Sequence, residues 1–284
     1  MVLSSPEAIR RLFGYPEQPN FPPRYNVAPT QPVPIVRIVE GQRQFALVRW
    51  GLIPPWVKDP RKFALLINAR GESVNDRAAF RYAMRRRRCL VPADGFYAWK
   101  DEGGRKRPYC VRPREGGPIA FAGLWETWMG PNGEEMETAI IITTAAKGEL
   151  ARLHERMPVI VPPDAFDLWL DCSKVDAMTA AALFAPAPEG LLGAYEISPA
   201  VNHTGNDGPN LIEPAAWQPP PVLPPANSGA SAPARRAARR TRGSSRCFDP
   251  LCGGKSTTGA VYNTLPGLRI PLGSSVRLSV LIRS

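Results

Sequence analysis

Along residues 1–218, short apolar runs rich in branched side chains alternate with Pro, Gly and charged residues. VPIVRIV (33–39) and FALVRW (45–50) predict two strands joined across Glu40-Gly41-Gln42. Ile67-Asn68-Ala69-Arg70 reads as extended. FYAW (96–99), YCVR (109–112), IAFAGLW (119–125), ETAIIITT (137–144), PVIV (158–161) and GAYEIS (193–198) are further strand candidates. Helical spacing is rarer. One helix is predicted from a cap at Asp76, with Phe80, Ala83 and Met84 forming its apolar stripe. A second is predicted from Pro163-Asp164, carrying Phe166, Trp169 and Leu170, and a third over roughly 174–184. Many strands without regular βα alternation predict an α+β fold.

The pattern changes near Trp217. Gln-Pro-Pro-Pro-Val-Leu-Pro-Pro at 218–225 is a stiff spacer, and 226–246 is an Ala/Ser/Gly/Arg stretch with too few apolar side chains to offset its ordering entropy. Two segments are therefore expected: a domain over 1–218 and a Pro/Ala/Arg-rich, disordered tail over 219–284. Charge divides the same way. The chain carries 36 basic and 25 acidic residues, but ten basic residues and only Asp249 lie beyond 218. The high net charge describes the tail, and the body is close to neutral.

Several classes are excluded or left without support. No apolar run approaches the ~20 residues of a membrane span, and Val-Leu-Ser-Ser after Met1 is no secretory leader. The five cysteines (89, 110, 172, 247, 252) are odd in number and scattered, so a reduced, cytoplasmic setting is expected. There is no phosphate loop, dinucleotide fingerprint or HExxH. With two histidines, His154 and His203, a His-rich metal site is excluded, and neither metal nor other cofactor is expected.

What remains is an ordered series: RYNVAPTQ (24–31), WGLIPPW (50–56), INARGE (67–72), RRCLVPADGFYAWK (87–100), FAGLWE (121–126), ITTAA (142–146), LHERMPVI (153–160) and NDGPNLIEP (206–214). Taken singly, each is compatible with a turn or a satisfied core polar group. Together and in this order they closely resemble the SRAP family, the SOS-response-associated peptidases or abasic-site processing proteins, over about residues 5–214. The resemblance implies a single α+β domain with a twisted, barrel-like, mainly antiparallel sheet, peripheral helices and a groove for single-stranded DNA. It implies a monomer whose partner is single-stranded DNA containing abasic sites. It also implies a chemistry: the amine and thiol of an N-terminal cysteine condense with the ring-opened aldehyde to give a thiazolidine crosslink, and the same site carries autopeptidase activity.

By the same resemblance His154 is an active-site proton donor and acceptor, and Asn68 hydrogen-bonds the amine or sugar oxygen. Arg70 and Arg156 meet DNA phosphates, and Trp56 stacks against a base. The residues alone leave other readings open: a core histidine, a turn-satisfying asparagine, solvated arginines, a core tryptophan. The arginines at 85–88 suit either a DNA patch or the negative end of a helix dipole.

Two positions depart from the family. Its members begin Met-Cys-Gly-Arg, whereas this chain opens Met1-Val2-Leu3-Ser4-Ser5-Pro6, resembling the family a few residues after its cysteine. In-frame codons upstream of Met1 are expected to supply that cysteine, and loss of the first strand's start is expected to expose a sheet edge. In GFYAWK, Ala98 stands where the family usually has glutamate. The readings are thus an abasic-site crosslinking enzyme, a non-catalytic single-stranded DNA-binding relative, or a non-DNA structural domain.

Overall fold

The computed structural model describes residues 1–215. The boundary near 218 and the segment 219–284, with its expected disorder, lie outside the described residues. Eleven strands are present among the described residues: β1 (Pro32–Val39), β2 (Gln42–Trp50), β3 (Asn68–Arg70), β4 (Arg88–Ala93), β5 (Phe96–Glu102), β6 (Arg105–Pro113), β7 (Ile119–Met129), β8 (Glu135–Ala145), β9 (Arg156–Pro158), β10 (Ile160–Val161) and β11 (Leu192–Glu196). The α-helices are short: α1 (Pro6–Phe13), α2 (Arg81–Arg86), α3 (Gly148–Ala151), α4 (Phe166–Leu170) and α5 (Ala177–Ala181).

The larger sheet runs β10-β7-β4-β1-β2-β8-β3, and β7 also pairs with β8. That extra ladder closes β1, β2, β8, β7 and β4 into a five-stranded, barrel-like ring. Its pairings are antiparallel except that β2 and β3 both run parallel to β8. A second, three-stranded sheet has the order β11-β6-β5. The first hairpin turns on Glu40 and Gly41, both with positive φ (50° and 81°), a two-residue turn whose twist matches the strands it joins.

Both faces of the larger sheet are covered. Val36, Leu90, Ala122, Leu124, Ile140 and Ile142 pack against Ile9, Phe13, Met84, Phe166 and Trp169 from the helices. On the opposite face Val33, Ile35, Val91, Phe121, Ala139 and Ile141 pack against Phe96, Ala98 and Val111 of the three-stranded sheet. Two-sided burial explains why the strands read as unbroken apolar runs rather than as strict alternation.

Three differences from the sequence expectation have physical causes. The helix expected from Asp76 begins at Arg81, because 73–80 form separate hydrogen-bonded turns (Asp76 and Arg77 N–H to the Ser73 carbonyl, Phe80 N–H to Arg77). Strand β4 was not expected, hidden behind the arginine run and Pro92. The opening residues form only a bridge, Val2 with Arg24, instead of a strand. That segment is anchored by buried Asp94, which accepts hydrogen bonds from the Leu3 and Ser4 N–H groups (2.5 and 2.8 Å) and from the Ser4 hydroxyl.

Candidate functional site around the second half of β8

Strand β8 changes both neighbours along its length. Through Ile141 its flanks are β7 and, at Thr138 and Ala139, β2. From there β3 takes over one side (Asn68↔Ile141, Ala69↔Ile142, Arg70↔Thr143) and β9 the other (Thr143↔Pro158, Thr144↔Met157, Ala145↔Arg156). The approach of β3 is fixed by the Ile67 carbonyl, which accepts from the Trp50 indole N–H at 3.0 Å and from Ile141 N–H at 3.2 Å.

Register partners share a face, and side chains two apart along a strand return to it. Asn68 and Arg70 therefore lie on the face of Ile141 and Thr143, while Ala69 lies on the helix-covered face, where it is buried. Arg156 reaches the same surface. Its guanidinium donates to both carboxylate oxygens of Glu72 (2.7 and 2.9 Å), to the Thr143 carbonyl (2.6 Å) and to the Thr143 hydroxyl (3.2 Å). Its side chain is only 12% exposed, and its buried Nε has no hydrogen-bond partner. The hydrogen bonds from Arg156, reinforced by the Arg70 charge, hold the Glu72 carboxyl below its ordinary pKa. Arg70 itself is exposed.

His154 is half-buried in the turn before β9. Its Nδ1 accepts from the Arg156 N–H at 3.0 Å. In the neutral ring that leaves the proton on Nε2, which is then a hydrogen-bond donor.

Next to this surface is a narrow apolar cleft lined by Met1, Val27, Val33, Trp50, Phe96, Phe121 and Ile141. Ile141 is shared with the Asn68 pairing. The Met1 α-amine is buried and donates to the Gly95 carbonyl at 3.2 Å. Burial lowers its pKa to about 6, against the opposing pull of the Asp94 charge. Gly95 (φ 150°) passes so close to the Val111 carbonyl that a Cβ would lie 2.3 Å from it. Ala98 is buried in the apolar cluster of this face, and Asp94, its acidic neighbour in sequence, is directed at Leu3 and Ser4.

Trp56 stands apart from that surface, on the loop after β2. It is 58% exposed and meets Phe63 edge to face, with centroids 5.4 Å apart. Trp50, by contrast, is buried core. The arginine run divides. Arg88, 1% exposed, donates to the carbonyls of Met84, Trp169, Asp171 and Val175 and so secures the end of α4. Arg87 pairs with buried Glu126 and packs over Trp125. Arg85 and Arg86 are exposed. Two further motifs satisfy each other: the Asp207 carboxylate accepts from Arg24 and from the N–H groups of Tyr25 and Asn26, while the Asn26 amide donates to the carbonyls of Val201, His203 and Asn206. Sequence reasoning missed Glu72 and Thr143. Glu72 lies inside the INARGE motif and Thr143 inside ITTAA, but their common partner, Arg156, is 84 and 13 residues away.

Among the described residues no group of three His, Cys, Asp or Glu side chains is gathered as a metal site, and no helix is long and apolar enough to cross a membrane. The arrangement is a polar and cationic surface beside an apolar cleft, on a closed β-ring flanked by a small sheet. The family description "SOS response associated peptidase (SRAP)" matches residues 1–204, and the chain belongs to that family. Abasic site processing protein YoqW of Bacillus subtilis is 36% identical over 192 residues, covering 67% of this chain and 86% of that protein. Abasic site processing protein YedK of Escherichia coli is 31% identical over 210 residues, covering 73% and 91%. A crystal structure of a protein from Bacteroides thetaiotaomicron superimposes with a TM-score of 0.65 at 26% identity, covering 76% of this chain and 99% of that one.

Proposed function

We propose that this protein processes abasic sites in single-stranded DNA, acting as a cytoplasmic monomer without metal or cofactor. The observation that carries the reading is the shared face: Asn68, Arg70 and Arg156 lie on the surface that continues into the Met1 cleft, with His154 at its edge. Arg70 and Arg156 are the phosphate contacts that set the strand's register. Trp56 is the stacking platform for an unpaired base. In its protonated form, with Nδ1–H facing the Arg156 carbonyl (3.3 Å), His154 gives its Nε2 proton to the sugar oxygen as the ring opens. It takes back the proton released by the C1 hydroxyl that becomes the aldehyde, and passes it to the hydroxyl that leaves as water when amine and aldehyde form an imine. Asn68 orients the amine or the sugar oxygen. In the family's chemistry the thiol then adds to the imine carbon and closes the thiazolidine.

The Met1 residue whose α-amine enters the cleft carries no thiol of its own, the Cys110 thiol of the same buried cluster belongs to another residue, and Ala98 supplies no acid. Loss of a general acid–base group costs ~10²–10⁴-fold in rate. The crosslinking and autopeptidase steps therefore require a cysteine that Val2 does not provide. Ala98 favours a second reading, a non-catalytic single-stranded DNA-binding relative that keeps the groove. Salt titrations of the full chain and of a form ending at 218, on single-stranded and duplex DNA, test what both readings share. The body is nearly neutral and the segment beyond it strongly basic. Truncation should therefore flatten the salt dependence and weaken duplex binding most, while the single-strand preference survives. If truncation abolishes that preference, the body has no functional groove.

A further inference from the structure

Residues 70–88 hold seven arginines against two acidic residues, Glu72 and Asp76. The rest of 1–218 holds nineteen basic and twenty-two acidic residues and is net acidic. The positive charge of the body is thus concentrated in one stretch of chain, the stretch that leaves the candidate site after Arg70. Two of these arginines, Arg87 and Arg88, and the site arginine Arg70 have been accounted for above. The others are different. Arg77, Arg81, Arg85 and Arg86 are exposed, and none forms an ion pair with a described residue.

Their spacing gives them a direction. Arg77 N–H donates to the Ser73 carbonyl and Arg81 N–H to the Arg77 carbonyl, after which α2 continues the same i, i+4 pattern to Arg85. Arg81 and Arg85 therefore lie on one face of α2, roughly 6 Å apart along its axis at 1.5 Å per residue. Arg77 is in the turn before α2, four residues after the Gly71–Ser73 3₁₀ segment, which carries Glu72, the partner of Arg156. Tyr82, 54% exposed, shares a helix face with Arg86.

We infer that the outer face of α2 is a second DNA-contact surface, on which Arg81, Arg85 and Arg86 bind the phosphates of the single strand flanking the lesion. The inference rests on the proposed function and extends it along the strand. Charge complementarity selects a polyanion: none of the three has an ion-pair partner among the described residues, and the dipole of α2 favours only Arg85 and Arg86 in its last turn, not Arg81 at its start. Tyr82 selects an unpaired strand, because an exposed aromatic ring offers a base a stacking surface that a duplex, with its bases already stacked, cannot use.

The test compares the full chain with Arg81→Gln/Arg85→Gln/Arg86→Gln, measuring affinity against salt by fluorescence anisotropy. The probes are an abasic single strand of about five nucleotides, one of about twenty, and the longer one with its flank made duplex. Each phosphate neutralised on a single strand contributes about 0.7 to the salt slope, so three lost contacts lower it by about 2 on the long strand. The short strand should be bound as before, with an unchanged slope. Tyr82→Ala should weaken the long single strand several-fold without changing the slope. The inference is overturned if the triple variant keeps the parental slope on the long strand, if it weakens both lengths equally, or if only the duplex-flanked probe is affected. Failure of the parent to bind the short abasic strand would instead refute the proposed function, and this inference with it.

Discussion

Glu72→Gln separates two roles for the carboxylate that faces Arg156. Both terminal nitrogens of the guanidinium are engaged: one donates to Glu72, the other to Glu72 and twice to Thr143, while Nε is buried without a partner. A phosphate arriving at Arg156 must displace Glu72 or share its donors, and it meets a like charge. Glu72 is 55% exposed, so solvent screens the pair and its contribution to stability is at most ~1 kcal/mol. Glutamine keeps one acceptor and removes the charge, and the melting temperature should fall by no more than about 2–4 °C. Relief of the competition should tighten single-stranded DNA binding by about 3–10-fold, equivalent to ~0.7–1.4 kcal/mol. It should steepen the salt slope by up to about 0.7, one phosphate contact. Arg156→Gln should do the reverse. Acid should mimic the substitution only well below neutrality. The folded carboxyl titrates below its ordinary value of 4.5, so the pair is intact above that value and is lost as pH falls through the depressed one. Fluorescence anisotropy at several salt concentrations reads all three effects. If Glu72→Gln weakens binding as much as Arg156→Gln does, the carboxylate aims the guanidinium instead of competing for it, and the argument fails.

Three further outcomes are expected. A protein beginning at Met1, mixed with abasic single-stranded DNA, should give an adduct trapped by borohydride but lost on heating without it. Trapping should slow as pH drops below about 6, where the buried amine becomes protonated, and a heat-stable adduct formed without reductant would contradict the absence of a usable thiol. His154→Ala should slow that trapping about 10²-fold or more while leaving the affinity for undamaged single strands unchanged; equal losses in both would make the histidine structural. Asp94→Ala should destabilise the fold by roughly 3 kcal/mol, since it strips partners from two backbone N–H groups and a hydroxyl at a buried site. A thermal shift of under a degree would show that the opening segment is held by something else.

The strands were legible because branched apolar runs are what a sheet covered on both faces requires. β4 was not, since Arg88 looks like a surface residue and Pro92 like a strand breaker. Arg88 is buried because four backbone carbonyls satisfy it. Pro92 is tolerated because β1 meets β4 only at Val36↔Leu90, so beyond Leu90 a single ladder remains, the one to β7. The identity of the family was carried by motif order. The geometry of its site was not, because Asn68 and Arg156 are brought together only by a strand more than seventy residues after the first of them. No local pattern distinguishes Glu72, which pairs with Arg156, from any other exposed acid, nor Arg88 from Arg85.

The position of the candidate site follows from how the ring closes. A closed sheet has no free edges, and side chains in its ladders are committed to packing. β8 is the strand at which this regularity ends: at Ile141–Thr143 it passes from β7 and β2 to the three-residue strands β9 and β3. β3 and β9 are only three residues long, so Arg70, at the last position of β3, and Arg156, at the first of β9, lie at strand ends on either side of β8. His154 lies in the turn that leads into β9. The same handover leaves Ile141 shared between the apolar cleft and the polar surface. Charge then narrows what can approach. The chain leaving β3 carries most of the body's excess arginine, while the remainder of 1–218 is net acidic. On the proposed function, that excess would draw a polyanion toward the Arg70–Arg156 surface from the side of β3.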